Sequence, residues 1–282
     1  MTRVLVLGAT GKTGRRITTR LTQAGADVRA AARNPGPGDG GARPVRFDWA
    51  DRSTWGPAVE DPARPDVVYL VPPALVVDHV APVTAFVETL RSVGVPRVVF
   101  LSARGADASD EIPMRREELA LAGSGLGWSV LRPSWFMQNF TEGAFAGMIA
   151  AGTVALPSGD GANPMIDADD IADVAARLLL DERFDGRAHD VSGPEPLTFG
   201  EATALLGEAL GRDLAFEDVG TGTFVAGAVA AGVPADYAGF LGVLLGIVRA
   251  GGDAHLSDGV QRVLGREPRS FKAWAATLAP PG

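Results

Sequence analysis

The sequence predicts an α/β protein with a Rossmann-type, doubly wound parallel sheet and a smaller, mainly helical C-terminal substrate lobe. Near the N-terminus an apolar run is followed by glycines spaced G-x-x-G-x-x-G and by a helical pattern. Short apolar strands then alternate with helical patterns, as in βαβ units. Beyond Pro194 the chain is rich in Ala and Gly, and its one clear strand is Leu214–Val219. We expect residues 1–155, with a returning segment near 166–192, to form the first domain, and 193–282 the lobe.

The first strand, turn and helix carry the most specific motif. Val4–Leu7 is a four-residue apolar strand, and Gly8, Gly11 and Gly14 follow it at regular spacing. The first glycine suits a tight turn, the second lets the backbone approach a phosphate, and the third lets the helix pack closely on the sheet. The N-terminus of the helix then offers free N–H groups and a partial positive charge to an anion. A dinucleotide site is therefore favoured over an ordinary strand-to-helix turn.

The remaining elements follow from apolar patterns and from their boundaries. We predict strands at Asp27–Arg33, Pro44–Phe47, Asp66–Val71, Arg97–Ser102 and Trp128–Leu131. We predict helices at Val76–Val93, Ile112–Ala122, about Asp169 to Leu180, and Phe199–Leu210, the last capped by Thr198. Asp167, Asp169 and Asp170 directly precede a strong helical pattern, so we interpret them as caps rather than metal ligands.

Composition excludes several classes of function. The formal net charge of -8 argues against a general binder of nucleic acid or anionic membranes. The chain has no Cys and only three widely spaced His, so thiol chemistry is excluded and no metal site is expected. Phe240–Val248 is too short to span a bilayer, and the N-terminus lacks a signal-peptide pattern. We expect a cytoplasmic monomer or homodimer.

The end of the second strand indicates which dinucleotide binds. Sites for NAD usually place a carboxylate there for the ribose 2′-hydroxyl, about 20 residues past the glycines. This chain has Arg33 and Asn34 instead, and a guanidinium matches a phosphate. We therefore predict NADP(H) as the cofactor. Lys12 is either a second cation near the 2′-phosphate or an ordinary loop lysine.

Residues at the ends of the other strands complete the predicted cofactor site. Asp48 is placed either to accept from the adenine amino group or to cap the next helix, and the prolines after the fourth strand contribute shape. The predicted cofactor-binding residues are Gly8, Thr10, Gly11, Lys12, Thr13, Gly14, Arg33, Asn34, Asp48, Pro72, Pro73, Ser102, Arg132 and Pro133.

An aromatic stretch just past the strand Trp128–Leu131 predicts a wall for a flat, apolar small-molecule substrate. Trp135, Phe136, Met137 and Phe140 either form this wall or pack in the core, and Gln138 and Asn139 either orient the substrate or satisfy loop backbone. The predicted substrate-binding residues are Trp135, Phe136, Gln138, Asn139 and Phe140.

Several of these motifs together resemble the NmrA-like family of atypical short-chain dehydrogenases, and most closely its branch of ergot alkaloid biosynthesis dehydrogenases and bacterial relatives. The motifs are Gly8-Ala9-Thr10-Gly11-Lys12-Thr13-Gly14, Arg33-Asn34-Pro35, Phe47-Asp48-Trp49, the stretch from Leu131 to Phe140, and that from Ile166 to Ala172. The resemblance implies a Rossmann-type domain with a small C-terminal substrate lobe, NADP(H) binding, and either a reductase or a redox-sensing role.

The chain departs from the ketone-reducing pattern of short-chain dehydrogenases. Those enzymes commonly use a Tyr-x-x-x-Lys pair to protonate the developing alkoxide. This chain has only Tyr69 and Tyr237, and neither has a lysine four residues on. Tyr237, His255 and Asn139 remain weak catalytic candidates, whereas Glu117 is interpreted as a helix-surface or salt-bridge residue.

Two functions of different classes are compatible with the absence of this pair. In the first, the protein is an NADPH-dependent reductase of a cyclic iminium, quinone or conjugated alkene in secondary metabolism. Such acceptors are already electrophilic, so the protein supplies mainly position and field. In the second, it is a non-catalytic NADP(H) redox sensor that reports to a partner.

Overall fold

The computed structural model describes residues 1–37, 40–62 and 64–279. Its strands are β1 (Arg3–Leu7), β2 (Asp27–Ala32), β3 (Arg43–Arg46), β4 (Val67–Leu70), β5 (Arg97–Leu101), β6 (Gly127–Pro133), β7 (Thr153–Leu156), β8 (Ala162–Asn163), β9 (Arg187–Val191), β10 (Leu197–Thr198) and β11 (Ala215–Asp218). Its helices are α1 (Lys12–Gln23), α2 (Trp55–Val59), α3 (Val80–Ser92), α4 (Pro113–Ala122), α5 (Asn139–Glu142), α6 (Ala146–Ala151), α7 (Ala168–Leu180), α8 (Phe199–Leu210), α9 (Thr221–Ala230), α10 (Ala235–Arg249), α11 (Gly259–Leu264) and α12 (Phe271–Ala276).

The central sheet is parallel throughout and has the predicted doubly wound form. Its described strands lie in the order β3-β2-β1-β4-β5-β6-β9, and each neighbouring pair is parallel. The strand order reverses between β1 and β4, and open sheets of this kind bind ligands at the carboxyl ends of the strands beside that point. The glycine loop follows β1 and therefore lies at this crevice.

Helices cover both faces of the sheet, which explains the near-continuous apolar strands. Val4 and Val6 of β1 pack in the core beneath α1, α7 and α11. Leu5 and Leu7 pack on the opposite face, in the core beneath α2 and α3. Successive side chains of a strand point to opposite faces, so a strand that is buried on both sides lacks polar alternation.

A third core belongs to the C-terminal lobe. It combines Phe140, Phe145, Phe199 and Phe271 with residues of the small β7–β11 pair. This core draws on residues 137–165 as well as on 197–278, whereas α11 packs back on α7 and β9. The predicted domain boundaries at 155 and 193 stay a prediction.

Two predicted caps are confirmed, and one predicted helix start is wrong. The Asp167 carboxylate accepts from the Asp169 N–H at the start of α7, and Thr198 forms a capping box with Glu201 at α8. The helix predicted from Val76 begins at Val80 instead. Leu75 has φ of +61°, which a right-handed helix does not allow, so the chain is still a loop there.

Within the described part of the chain, no helix combines the length and the apolar character needed to cross a membrane.

Candidate functional site

The glycine loop is packed so closely that a side chain on Gly14 would collide with the backbone of the turn. Gly8 has φ of +62°, and its carbonyl oxygen accepts from the Gly11 N–H at 2.8 Å. A Cβ on Gly14 would lie 2.7 Å from the Gly8 carbonyl carbon and closer still to its oxygen. Helix α1 starts directly after this turn, its N-cap Gly11 offers no side-chain cap, and its first turn has no acidic residue. Its N–H groups therefore fit an anionic pyrophosphate.

Arg33 lies where a 2′-phosphate would require a cation. It is exposed just past the carboxyl end of β2, and Asn34 beside it is exposed too. The Arg33 side chain makes no hydrogen bond or ion pair to any described residue, so none of these residues competes with a ligand for its donors. Its contact with a 2′-phosphate stays a prediction.

Lys12 is directed toward the lobe. Its Nζ donates to Asn139 Oδ1 at 2.7 Å and lies 6.0 Å from the centre of the Phe136 ring. Burial lowers the pKa of Lys12. The lysine therefore joins the glycine loop to the predicted substrate wall, and its role as a second cation for the 2′-phosphate stays a prediction.

Two other predicted cofactor residues already have protein partners. Thr13 Oγ1 accepts from the Tyr69 hydroxyl at 3.0 Å, and burial raises the pKa of this fully buried tyrosine. Asp48 Oδ1 accepts from the Ala50 N–H at 3.0 Å, while its carbonyl accepts from the Trp55 indole. Tyr69 is therefore structural, and Asp48 stabilises a turn whether or not it also contacts adenine.

Ser102 and Arg132 meet at a buried carboxylate that sequence reasoning missed. Glu118 Oε1 accepts from Ser102 Oγ at 2.6 Å and from Arg132 Nε at 2.8 Å. Glu118 Oε2 accepts from Arg132 Nη2 at 2.5 Å, and the remaining Arg132 Nη1 pairs with Asp107. This network fixes the carboxyl ends of β5 and β6. Pro133 is buried beside it, whereas Thr10 is exposed and Pro72 and Pro73 are half-buried.

The aromatic stretch divides into an exposed pair and a buried support. Trp135 and Phe136 are partly exposed, whereas Met137 and Phe140 are buried. Gln138 donates from Nε2 to Asp167 Oδ1 and accepts the Ala168 N–H at Oε1, both at 2.7 Å. Gln138 therefore fixes the start of α7. We name Trp135 and Phe136 the aromatic wall, and their contact with a substrate stays a prediction.

The weak catalytic candidates occupy different surroundings. Asn139 Oδ1 is taken by Lys12, Tyr237 is half-buried on α10 with its pKa raised by burial, and His255 is exposed. Glu117 is not on the helix surface: its side chain is fully buried and pairs with His79 Nδ1 at 2.5 Å. Burial raises the pKa of Glu117, and His79 partly offsets this effect. Glu117 therefore pairs with His79 in the interior, and its role in catalysis stays untested.

Sequence reasoning also missed Arg104 and Asp253, which contact each other near the aromatic wall. The sequence gives little indication of either residue, because neither belongs to a motif and the chain has 26 lysines and arginines. The position of Arg104, three residues past β5, is the one feature that could have singled it out. Among the described residues, no group of three His, Asp or Glu side chains could hold a metal ion.

Residues 8–182 match the family model described as NAD(P)H-binding. The chain is 36% identical over 277 residues to the uncharacterized oxidoreductase YesF of Bacillus subtilis, covering 98% of this chain and 95% of the relative. It is 33% identical to agroclavine dehydrogenase of Claviceps fusiformis, covering 95% and 94%. It is 34% identical to a (4-alkanoyl-5-oxo-2,5-dihydrofuran-3-yl)methyl phosphate reductase of Streptomyces griseus, covering 98% of each chain.

Solved structures share the fold at lower identity. An NADPH-dependent quinone oxidoreductase of Escherichia coli, complexed with NADPH, has a TM-score of 0.79 at 20% identity and covers 98% of this chain and 99% of its own. The negative transcriptional regulator NmrA in complex with NADP has a TM-score of 0.73 at 12% identity, covering 99% and 95%.

Proposed function

The chain belongs to the NAD(P)H-binding, NmrA-like family, and its relatives include the oxidoreductase YesF and agroclavine dehydrogenase. We therefore propose that it is an NADPH-dependent reductase of an activated small molecule. The acceptor is a cyclic iminium, a quinone or a conjugated alkene, and the setting is secondary metabolism. One observation carries this proposal: Phe136 of the half-exposed aromatic wall lies 6.0 Å from the ammonium of Lys12, a residue of the glycine loop. A flat acceptor on that wall would therefore border the dinucleotide.

The names of two relatives support this class of acceptor. One acts on a 5-oxo-2,5-dihydrofuran carrying an alkanoyl group, and another on agroclavine. The dihydrofuran is a flat, unsaturated ring, which suits a site bounded by Trp135 and Phe136. The identity of the acceptor reduced by this chain is the part of the proposal that turnover must establish.

The residues of the chain have separate tasks in this proposal. The glycine loop and the N-terminus of α1 hold the pyrophosphate, and Arg33 holds the 2′-phosphate. The aromatic wall orients the acceptor, and the lobe excludes water. Bound NADPH supplies the hydride. An iminium becomes a neutral amine on accepting hydride, so that reaction needs no proton and no Tyr-x-x-x-Lys pair.

Turnover tests the reductase proposal directly. We expect NADPH oxidation, followed at 340 nm, with at least one member of a panel of quinones, enones and cyclic imines. The aromatic-wall variant Trp135→Ala should raise the KM for the acceptor while leaving NADPH affinity unchanged. If no acceptor is reduced, yet the protein binds NADP⁺ and NADPH tightly and with different affinities, the redox-sensor alternative replaces the reductase.

Cofactor choice is tested at Arg33. Arg33→Asp is expected to raise the Kd for NADPH by about 10- to 100-fold, because charge-assisted hydrogen bonds contribute about 1.5–3 kcal/mol. The Kd for NADH, which lacks the 2′-phosphate, should change little. Titration of cofactor fluorescence measures both constants.

A matched control removes the same charge elsewhere. Arg187→Asp alters an exposed arginine at the amino end of β9, the edge of the sheet opposite the site. It should leave both Kd values unchanged. Equal losses of NADPH and NADH affinity in Arg33→Asp would contradict the assignment of Arg33 to the 2′-phosphate.

A further inference from the structure

Arg104 lies on the substrate side of the site. It follows β5 by three residues, and its backbone N–H donates to the Pro133 carbonyl at the end of β6 at 3.1 Å. It therefore belongs to the carboxyl edge of the sheet, where parallel sheets bind their ligands. The glycine loop and Arg33 follow β1 and β2, so Arg104 lies across the strand-order reversal from the residues assigned to the cofactor phosphates.

The guanidinium of Arg104 is buried, and two of its three nitrogens have no hydrogen-bond partner among the described residues. Its side chain is 6% exposed, and Nη1 contacts the carbonyl and Oδ1 of Asp253 at 3.4 and 3.5 Å. Nε and Nη2 are buried and have no partner among the described residues. Buried polar groups in proteins nearly always have partners, so these two donors call for an acceptor.

The two unpaired atoms form one edge of the guanidinium plane, and the chain shows what that edge binds. Arg97 donates from Nε and Nη2 to the Asp185 carboxylate at 2.9 and 2.7 Å. Arg132 grips Glu118 with the same two atoms at 2.8 and 2.5 Å. This edge matches two oxygens of a carboxylate or phosphate. Among the described residues, no carboxylate binds the Nε–Nη2 edge of Arg104.

The neighbours of Arg104 connect it to the aromatic wall. Asp253 lies close enough to the Trp135 side chain and to His255 for both to lower the pKa of its carboxyl group. Burial raises the pKa of Asp253, and the positive charge of Arg104 opposes this effect. Asp190 also acts on Arg104 through its charge, but it is 45% exposed and lies 3.9 Å from Arg132. Neither carboxylate occupies the Nε–Nη2 edge.

We propose that Arg104 binds an oxyanion of the substrate, a carboxylate or a phosphate ester attached to the flat acceptor, through its Nε–Nη2 edge. The inference rests on the proposed function, because it names the chemical class of the acceptor that the aromatic wall receives. The anionic group anchors one end of the acceptor at Arg104 while its ring lies against Trp135. Arg104 is thus a specificity-determining residue of the substrate side.

Binding of simple anions tests the proposal without requiring turnover. The protein is first saturated with NADP⁺, so that anions cannot occupy the cofactor phosphate sites, and is titrated calorimetrically with benzoate, phenyl phosphate and benzyl alcohol. We expect at least one of the two anions to bind the wild-type protein, with a Kd at least tenfold higher in Arg104→Gln. The preferred anion distinguishes a carboxylate from a phosphate ester, and benzyl alcohol should not respond to the substitution.

Three further variants separate recognition from folding and from net charge. Arg104→Lys keeps the charge without the two-donor edge, so it should lose most of the anion affinity. The double variant Arg104→Gln/Asp253→Asn leaves no unpaired buried carboxylate, and it should fold while still failing to bind the anion. Arg187→Gln, at the opposite edge of the sheet, should bind the anion as the wild type does.

Acceptor turnover gives an independent measure. The ratio of kcat/KM for 1,2-naphthoquinone-4-sulfonate to that for neutral 1,2-naphthoquinone should fall at least tenfold in Arg104→Gln. Anions that bind wild type and Arg104→Gln alike, or that bind neither, would overturn the proposal even if neutral quinones are reduced. Arg104-dependent anion binding with no reduction of any acceptor would instead overturn only the reductase function.

Discussion

Gly14→Ala is expected to abolish useful NADPH binding, raising the Kd at least about 100-fold, which corresponds to about 2.7 kcal/mol. The new Cβ would lie 2.9 Å from the Ala9 Cα, 2.7 Å from the Gly8 carbonyl carbon and closer still to its oxygen. These are backbone atoms of the turn that receives the pyrophosphate, so no rotation of a side chain relieves the clash. The first turn of α1 must move away from β1, and its N–H groups leave the positions that fit the anion.

Calorimetric titration with NADPH measures the loss, and circular dichroism confirms that the variant is folded. Gly239→Ala is the matched control, since Gly239 lies within α10 and its added Cβ would meet no atom within 4 Å. That control should bind NADPH normally and gain up to about 1 kcal/mol of stability, because alanine favours the helix. NADPH affinity in Gly14→Ala within a few-fold of wild type would show that the loop does not hold the pyrophosphate.

Arg132→Met is expected to lower the free energy of unfolding by up to about 3–5 kcal/mol, because the buried Glu118 carboxylate loses its two-donor partner. The two side chains are 6% and 3% exposed, and both Glu118 oxygens accept from the guanidinium. The remaining cation is the more exposed Arg115, whose Nη1 donates to Glu118 Oε2 at 3.2 Å. Urea unfolding followed by circular dichroism measures the change. The loss should exceed that of any exposed ion pair in the chain.

Two comparisons make this stability prediction specific. The double variant Arg132→Met/Glu118→Met removes both charges, so it should recover most of the lost stability. Arg91→Met breaks an exposed pair, Arg91–Glu88, whose side chains are 56% and 57% exposed, and should cost no more than about 1 kcal/mol. A cost for Arg132→Met as small as that for Arg91→Met would mean that the buried pair contributes little to stability.

The sequence predicted those strands of the sheet that are buried on both faces. β1 and β4 to β6 read as apolar runs because helices cover both sides, and the glycine spacing located the turn after β1. β9 was missed because Arg187, His189 and Asp190 interrupt its apolar pattern. Its place in the sheet comes from pairing with β6, which a local pattern does not encode.

The candidate site was predictable where a residue type and a motif coincide. Arg33 lies at a fixed distance from the glycines, so the motif itself predicts that its charge binds the 2′-phosphate. The local sequence does not predict the roles of Arg104, Glu118 and Asp253, because each role depends on partners elsewhere in the chain. Arg104, for example, contacts Asp253, which lies 149 residues further along the sequence. Gln138 illustrates the converse, because it sits in the most specific motif and yet fixes the start of α7.

The core of the C-terminal lobe joins segments that are distant in the chain. Phe140 and Phe145 pack with Phe199, and Phe140 also packs edge-on against Phe271 at 5.6 Å, so this core joins residues from the middle and the far end of the chain. Chains emerge from the ribosome N-terminus first, and contacts between distant segments form late. We therefore expect the lobe core to form only after the segment that contains Phe271 has been synthesised. The sheet face beneath α1 depends on later segments in the same way, because α7 and α11 also cover it.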